Sequence, residues 1–200
     1  DEIVNVAEVS YTLSEQVASM TVTWNDGTTT LTANITGDDL LQGPHADVAL
    51  NLDGTLVSGT TYDLEFDATD AAGNQADTVD TITGITFDTI VPTMTVVSIS
   101  SSNDDPSWAK LGDTLTLSLT ADEDLTTQPT VMISGGSATL IQGSGNSMLA
   151  TTIVTSDLSS ELVTFSVSGF ADQAGNLGTD VVTVTDNSSV TIDLIIPDNQ

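Results

Sequence analysis

Leu115-Thr116-Leu117-Ser118-Leu119-Thr120 alternates aliphatic and hydroxyl side chains without a break. A two-residue period puts the leucines on one face of an extended chain and the hydroxyls on the other, so this stretch reads as a half-buried β-strand. Met20-Thr21-Val22-Thr23-Trp24 carries the same pattern, and Val181-Val182-Thr183-Val184-Thr185 carries it more loosely. Antiparallel strands with one face on a core and the other in water produce such alternation. Gly, Asn, Asp, Ser and Pro separate the strands at intervals of roughly eight to twelve residues, and no segment offers a helical stripe. The 200 residues suit one large domain or two smaller ones.

An internal repeat decides between them. Asp70-Ala71-Ala72-Gly73-Asn74 returns as Asp172-Gln173-Ala174-Gly175-Asn176, and Thr86-Phe87-Asp88-Thr89-Ile90-Val91-Pro92 returns as Thr191-Ile192-Asp193-Leu194-Ile195-Ile196-Pro197. Near the front of each unit, Tyr11-Thr12-Leu13-Ser14-Glu15 matches Leu119-Thr120-Ala121-Asp122-Glu123. Three landmarks in one order, offset by about a hundred residues, indicate two homologous domains. The boundary falls near Ile90 to Pro92, which gives domains 1–90 and 91–200. About seven short strands in about 100 residues describes an immunoglobulin-like sandwich. The expected fold is therefore all-β, two tandem immunoglobulin-like (Greek-key) β-sandwich domains arranged end to end. Met94 to Ser100 reads as the opening strand of the second unit, whereas only Glu2 to Val6 is available for that role in the first.

Charge narrows the possible partners. Asp and Glu total 29 against a single Lys110 and no Arg, a net charge of −28. Nucleic-acid binding and docking to anionic headgroups both need clustered cationic side chains, so both are excluded as expectations. The chain is 38% hydrophobic with regularly spaced aliphatics, which argues for a folded protein and not an acidic tail. Cysteine is absent, so neither disulfides nor thiolate sites contribute. No apolar run is long enough to insert in a membrane, and no leader pattern opens the sequence, so any export signal is expected outside it.

Catalytic signatures are few. His45 is the only histidine, and no G-x-S-x-G elbow, H-E-x-x-H or phosphate-binding glycine loop is present. Gln42-Gly43-Pro44-His45 reads as a surface turn. Paired carboxylates suffice for glycoside hydrolysis, but at 4% aromatic content the chain has few Trp or Tyr faces to hold a sugar ring. Trp24 and Trp108 read as core or edge residues. Asn34-Ile35-Thr36 and Asn187-Ser188-Ser189 fit the glycosylation sequon.

Calcium suits the composition, since it takes six to eight oxygens from carboxylates, amides and backbone carbonyls. With seven strands alternating in direction, the loop after the second strand, the loop before the last strand and the incoming linker meet at one pole. In the second unit those segments carry Asp122, Glu123 and Asp124, then Asp172 and Asn176, with Asp88 on the linker. In the first unit the matching positions are Glu15, Asp70 and Asn74, with Asp1 or Glu2 standing in for a linker aspartate. Asp193 would serve a following domain as Asp88 serves the second. Asp-x-x-Gly-Asn is also ordinary turn chemistry, with Asp accepting backbone N–H bonds and Gly-Asn tolerating positive φ. Asp38, Asp39, Asp47 and Asp77 read as solvated surface or as a salt-tolerance feature.

Phe66-Asp67-Ala68-Thr69-Asp70-Ala71-Ala72-Gly73-Asn74, Lys110-Leu111-Gly112-Asp113-Thr114-Leu115-Thr116-Leu117 and Phe170-Ala171-Asp172-Gln173-Ala174-Gly175-Asn176 resemble tandem bacterial Ig-like repeats. Such repeats form the extender regions of giant surface adhesins, including the repeats-in-toxin and ice-binding types, and similar modules serve as spacers in secreted hydrolases. The resemblance implies calcium at domain junctions that stiffens a rod. It further implies a secreted, cell-surface location, neighbouring repeats of the same chain as partners, and a monomer without catalytic activity. One departure is that Asp67 has Gly169 as its counterpart, so the two units need not share one ligand set. The expected role is a calcium-stabilised spacer, and its rivals are a directly adhesive or glycan-binding module and an accessory domain of a hydrolase.

Overall fold

The computed structural model describes residues 2–76, 80–142 and 146–198, which leaves Asp1 and Asp77 outside the described residues. Among the described residues the protein is built of strands and turns, with one short 3-10 turn and no α-helix. It divides into two compact units, Asp1–Ile90 and Val91–Gln200, each with its own core.

The first unit contains β1 (Ile3–Val4), β2 (Glu8–Leu13), β3 (Ser19–Asn25), β4 (Thr30–Ile35), β5 (Gly43–Ala49), β6 (Thr60–Thr69) and β7 (Asp80–Phe87). Five strands form a sheet in the order β1-β7-β6-β3-β4, and β2 pairs with β5 in a second sheet. The alternation of Met20, Val22 and Trp24 turns all three inward, where they join Tyr62, Leu64 and Ile85 against Val9 and the partly buried Leu13 and Val48 of the second sheet. Trp24 meets the Tyr62 ring edge-on, with centroids 5.7 Å apart, an arrangement that the ring quadrupoles favour. The Tyr62 hydroxyl accepts the Val57 N–H at 3.0 Å, which satisfies its polar end inside the core.

The second unit contains β8 (Met94–Ser101), β9 (Trp108–Ala109), β10 (Thr114–Ala121), β11 (Thr130–Ile133), β12 (Gly136–Ser137), β13 (Thr139–Gln142), β14 (Ser147–Ile153), β15 (Phe165–Ser168) and β16 (Thr191–Ile192). One sheet runs β13-β14-β10-β8, a second runs β12-β11-β15, and β16 pairs with β9. The central strand β10 buries Leu115, Leu117, Leu119 and Ala121 at alternate positions, as its sequence dictates. They pack with Val97 and Ile99 of β8, Val131 and Ile133 of β11, and Val167 of β15 in one cluster, so the core lies between the two sheets. In β8 the burial alternation slips between Met94 and Val97, opposite a register irregularity at Thr120/Ala121 of β10. One unmatched residue in a ladder shifts which side chains face the core.

Three sequence expectations are revised. Glu2 to Val6 does not take the place of Met94 to Ser100. Ile3 and Val4 pair in parallel with Thr86 and Phe87 of β7, which is how β9 pairs with Thr191 and Ile192 of β16. The carbonyls of Glu2 and Val4 accept the N–H groups of Thr86 and Asp88, both at 2.8 Å, so the segment's hydrogen bonds belong to β7. Val181 to Thr185 forms no continuous strand. Val181 and Val167 exchange N–H bonds at 2.9 Å, but the Thr185 N–H goes to the Val97 carbonyl at 2.8 Å. A segment passing from one sheet to the other cannot keep one face on the core, and Val182 is accordingly 63% exposed. His45, read as part of a turn, lies within β5 opposite Tyr11 of β2.

Leu117 is fully buried, so Leu117→Ala should destabilise the second unit by about 3 kcal/mol. Urea titration followed by NMR would show resonances of the second unit lost at lower denaturant while those around Trp24 hold their midpoint. Equal shifts in both units would mean that the two cores do not unfold independently.

Candidate metal centre

The two Asp-x-x-Gly-Asn segments fold into the same loop. In the first unit Asp70 Oδ1 accepts the N–H groups of Ala72 and Asn74, both at 2.8 Å, while Oδ2 accepts the Asn74 side-chain amide at 2.7 Å. In the second, Asp172 Oδ1 accepts the Asn176 N–H at 2.9 Å and Oδ2 the Asn176 side-chain amide at 2.8 Å. The Asp70 and Asp172 N–H groups donate back to the Asn74 and Asn176 carbonyls at 3.0 and 3.2 Å, closing each loop. Gly73 and Gly175 have φ of +89° and +87°, a conformation that only glycine adopts without strain. Neither asparagine has positive φ, so the turn chemistry expected of the Gly-Asn pair belongs to glycine alone. The Asn74 amide, then the backbone donors, hold the Asp70 carboxyl below the ordinary aspartate range.

Burial separates the two loops. Asp70 is half-buried and Asn74 exposed, whereas Asp172 is completely buried and Asn176 nearly so. In the second unit the loop after β10 is stitched to the loop after β15. The Thr126 and Thr127 N–H groups donate to the Ala171 carbonyl at 3.0 and 3.2 Å, and the Ala171 N–H returns to Thr127 at 3.1 Å. The Thr126 hydroxyl donates to the Asp172 carbonyl. These bonds bring Glu123 to the buried aspartate, and carboxylate oxygens of Glu123 and Asp172 lie within 4.8 Å of each other. At that distance two ionised carboxylates repel by roughly 3 kcal/mol for an effective dielectric near 20. The only cationic side chain, Lys110, acts on Asp113, whose carboxyl is held low first by the Lys110 N–H and next by the Asn103 amide.

Gly178 completes the support. A Cβ there would come 2.0 Å from Cε2 of Phe170, the fully buried ring that precedes Ala171 and Asp172. Thr126, Thr127 and Gly178 escape the sequence argument, because threonine is everywhere in this chain and a lone glycine carries no signal until its neighbour is known.

The other expected ligands are placed as follows. Asp122 turns to Thr93, accepting its N–H at 2.8 Å and its hydroxyl at 2.7 Å. Partial burial pushes Asp122 up, but the Thr93 donors outweigh it and hold the carboxyl below its usual value. Asp124 is exposed. In the first unit Glu15, Asp70 and Asn74 line one cleft, but no group of three close carboxylates forms there among the described residues. Asp88 closes the first unit, where its Oδ1 accepts the Ser58 hydroxyl at 3.0 Å and the Ile90 N–H at 2.9 Å. Asp193 repeats the second of these bonds with the Ile195 N–H, also at 2.9 Å. His45 is largely covered, with Nε2 donating to the Leu41 carbonyl at 2.9 Å and Nδ1 lying 3.4 Å from Asp39.

No family model and no curated protein matches the sequence. Among solved structures, the chain is similar at 15% identity to SGBP-B of the Bacteroides ovatus mixed-linkage glucan utilization locus, solved in complex with a mixed-linkage heptasaccharide. The match covers 96% of this chain and 42% of that one, with a TM-score of 0.24, too low to describe a common arrangement of strands. This chain thus spans less than half the length of that protein. Among the described residues no helix is long and apolar enough to cross a membrane.

The depressed Asp122 carboxyl fixes a sign. Its contribution is complete above the unfolded-state value, near pH 4, and is lost as pH falls through the lower folded-state value. Asp122→Asn should therefore cost the second unit about 0.5 kcal/mol at neutral pH after solvent screening. Urea titrations in steps from pH 7 to pH 2 should show this gap closing below about pH 4; a gap that widens toward acid would contradict the Thr93 contact as its cause.

Proposed function

We propose that this chain is a calcium-stabilised spacer: two immunoglobulin-like modules of a large secreted bacterial adhesin that hold a terminal ligand-binding domain away from the cell surface. On this reading it has no catalytic role, and its partners are calcium ions and neighbouring modules of the same polypeptide. The supporting observation is the pairing of Glu123 with the buried Asp172 in a chain of 29 acidic residues and one lysine. Two facing carboxylates without a cationic side chain to share call for a cation from solution. Calcium is the ion of choice, because it accepts carboxylates in mono- or bidentate form together with amide and backbone oxygens, whereas magnesium demands a tighter octahedron. The Asn176 side chain, held against Asp172 at 2.8 Å, places an amide beside the buried carboxylate, and amide oxygens are among the ligands calcium takes. Asp88 enters from the sequence argument as a further donor, and Asp193 as its equivalent for a following module.

Thermal melts in calcium, magnesium and EDTA at constant ionic strength test this proposal. Extracellular modules bind calcium at about 10⁻⁴ to 10⁻³ M, so ~10 mM calcium should add about 1.4 to 2.7 kcal/mol to the second unit. Asp172→Asn and Glu123→Gln should abolish the increment. Asp70→Asn disturbs the matching loop of the first unit and should leave it intact. Asp88→Ala reads whether the linker aspartate contributes. Identical melts in all three solutions would remove calcium from the account.

A direct glycan-binding role is favoured by one observation: Trp108 keeps 48% of its surface exposed, and an open indole face is what a sugar ring stacks on. Trp108→Ala should then weaken retention on immobilised β-glucan in affinity electrophoresis; unchanged mobility of the unsubstituted protein would exclude that role for the glycan tested.

A further inference from the structure

His45 is the only side chain of the first unit that can carry a positive charge, since residues 1–90 contain no Lys and no Arg. It is nevertheless tucked away, with 12% of its side chain exposed. Both ring nitrogens face acceptors. Nε2 lies 2.9 Å from the Leu41 carbonyl oxygen, which can only accept, so this nitrogen carries a proton. Nδ1 lies 3.4 Å from Oδ1 of Asp39. A neutral ring with its one proton on Nε2 turns a lone pair toward that carboxylate, whereas the doubly protonated ring turns an N–H toward it. The surroundings are thus shaped for the imidazolium ion.

Asp39 belongs to the 3-10 turn Gly37–Leu40, which joins β4 to β5. Gly37 opens the turn at a φ of +70° and Gly43 follows it at +129°, conformations in which glycine pivots without strain. Three neutral bonds hold the turn: the Tyr11 hydroxyl of β2 donates to the Asp39 carbonyl at 2.8 Å, the Val17 N–H to the Leu40 carbonyl at 3.0 Å, and the Leu41 N–H to the Asp38 carbonyl at 3.1 Å. From the turn, Leu40 packs against the first core. The Tyr11 ring lies 5.0 Å from that of His45. Burial first, and the Asp39 charge next, push the Tyr11 hydroxyl up, so it remains a donor from acid to weakly alkaline solution. The other ionisable groups on these elements are Asp38, exposed in the turn, Asp47, two positions along β5, and Glu8 at the far end of β2. Phe66, which meets Tyr11 from β6, carries no charge.

We propose that His45 is a proton-operated latch: a proton taken up at Nδ1 fastens the Gly37–Leu40 turn to the β2–β5 sheet through Asp39, and its loss loosens the turn. The proton comes from solvent and returns to it, and no bond but the N–H is made or broken. Histidine exchanges such a proton near pH 6.5, above the range in which carboxylates titrate. The latch is therefore closed at about pH 5.5 and open at about pH 8. Its contribution to stability is complete on the acid side and is lost as pH rises.

NMR on the full chain tests this directly, because the one histidine gives one set of ring signals. Nitrogen-15 shifts should place the proton on Nε2 at about pH 8 and on both nitrogens at about pH 5.5. Protection factors of the Val17 and Leu41 amides against hydrogen exchange should rise about threefold between the same two conditions, the size of a half-exposed ion pair, while those of β3 stay level. His45→Gln and, separately, Asp39→Asn should each remove the rise. A proton on Nδ1 and not Nε2 at the higher pH, equal protection in the two conditions, or a rise that survives in either variant would overturn the proposal. So would a rise shared by β3, because the whole unit and not the turn would then be responding.

Discussion

An acidic surface with a single lysine leaves nearly every carboxylate three sources of stabilisation: water, neutral hydrogen-bond donors or ions. Most of this fold follows from how that choice is made residue by residue. Asp26, Asp70, Asp105, Asp113 and Asp186 each accept bonds from backbone N–H groups within four residues, and each thereby locks a turn. Charge that would otherwise push the chain apart is converted into loop geometry, because a carboxylate makes a stronger acceptor than a neutral oxygen. Glu123 and Asp172 are set apart: a second carboxylate stands beside a buried one whose own acceptor sites are already directed at Asn176.

The sheet content was legible because the chain states its period plainly. β10 and β3 bury the leucines, methionine, valine and tryptophan that alternation selects. The repeat was legible because Asp-x-x-Gly-Asn must recur with its glycine in place, and the glycines of both copies adopt the same φ within a few degrees. Pairings that depend on distant partners were not legible. Ile3-Val4 contains too few residues to show a period, and its parallel bond to β7 is decided by what Thr86 and Asp88 need. Val181 to Thr185 looks like a strand locally but answers to Val167 at one end and Val97 at the other. His45 follows a Gly-Pro pair that suggests a turn, yet its ring lies 5.0 Å from that of Tyr11 across a ladder.

The candidate site was legible as two loops and not as a ligand list. Sequence placed Asp122, Glu123 and Asp124 together, since three successive acidic residues look interchangeable. The fold sorts them: Asp122 is taken by Thr93, Asp124 faces solvent, and Glu123 approaches Asp172. Asp122 and Glu123 are neighbours in a bent segment, so their carboxylates leave the backbone in different directions and serve different partners. The agent of that selection is the backbone stitch at Thr126, Thr127 and Ala171, made of groups that every residue possesses and that no motif advertises.

The parallel pairing of β1 with β7 has a mechanical meaning. Tension applied between Glu2 and Ile90 pulls two neighbouring parallel strands in opposite directions along their own axes. The bonds from Thr86 to Glu2 and from Asp88 to Val4 then bear the load together, as rivets in shear, and cannot open one after another like a zipper. In the second unit the same clamp, from Thr191 to Ser107 and from Asp193 to Ala109, sits behind β8 in the chain, so a pull from the front must strip β8 from β10 before it reaches the clamp. Both units thus carry a pair of parallel strands that tension across them loads in shear.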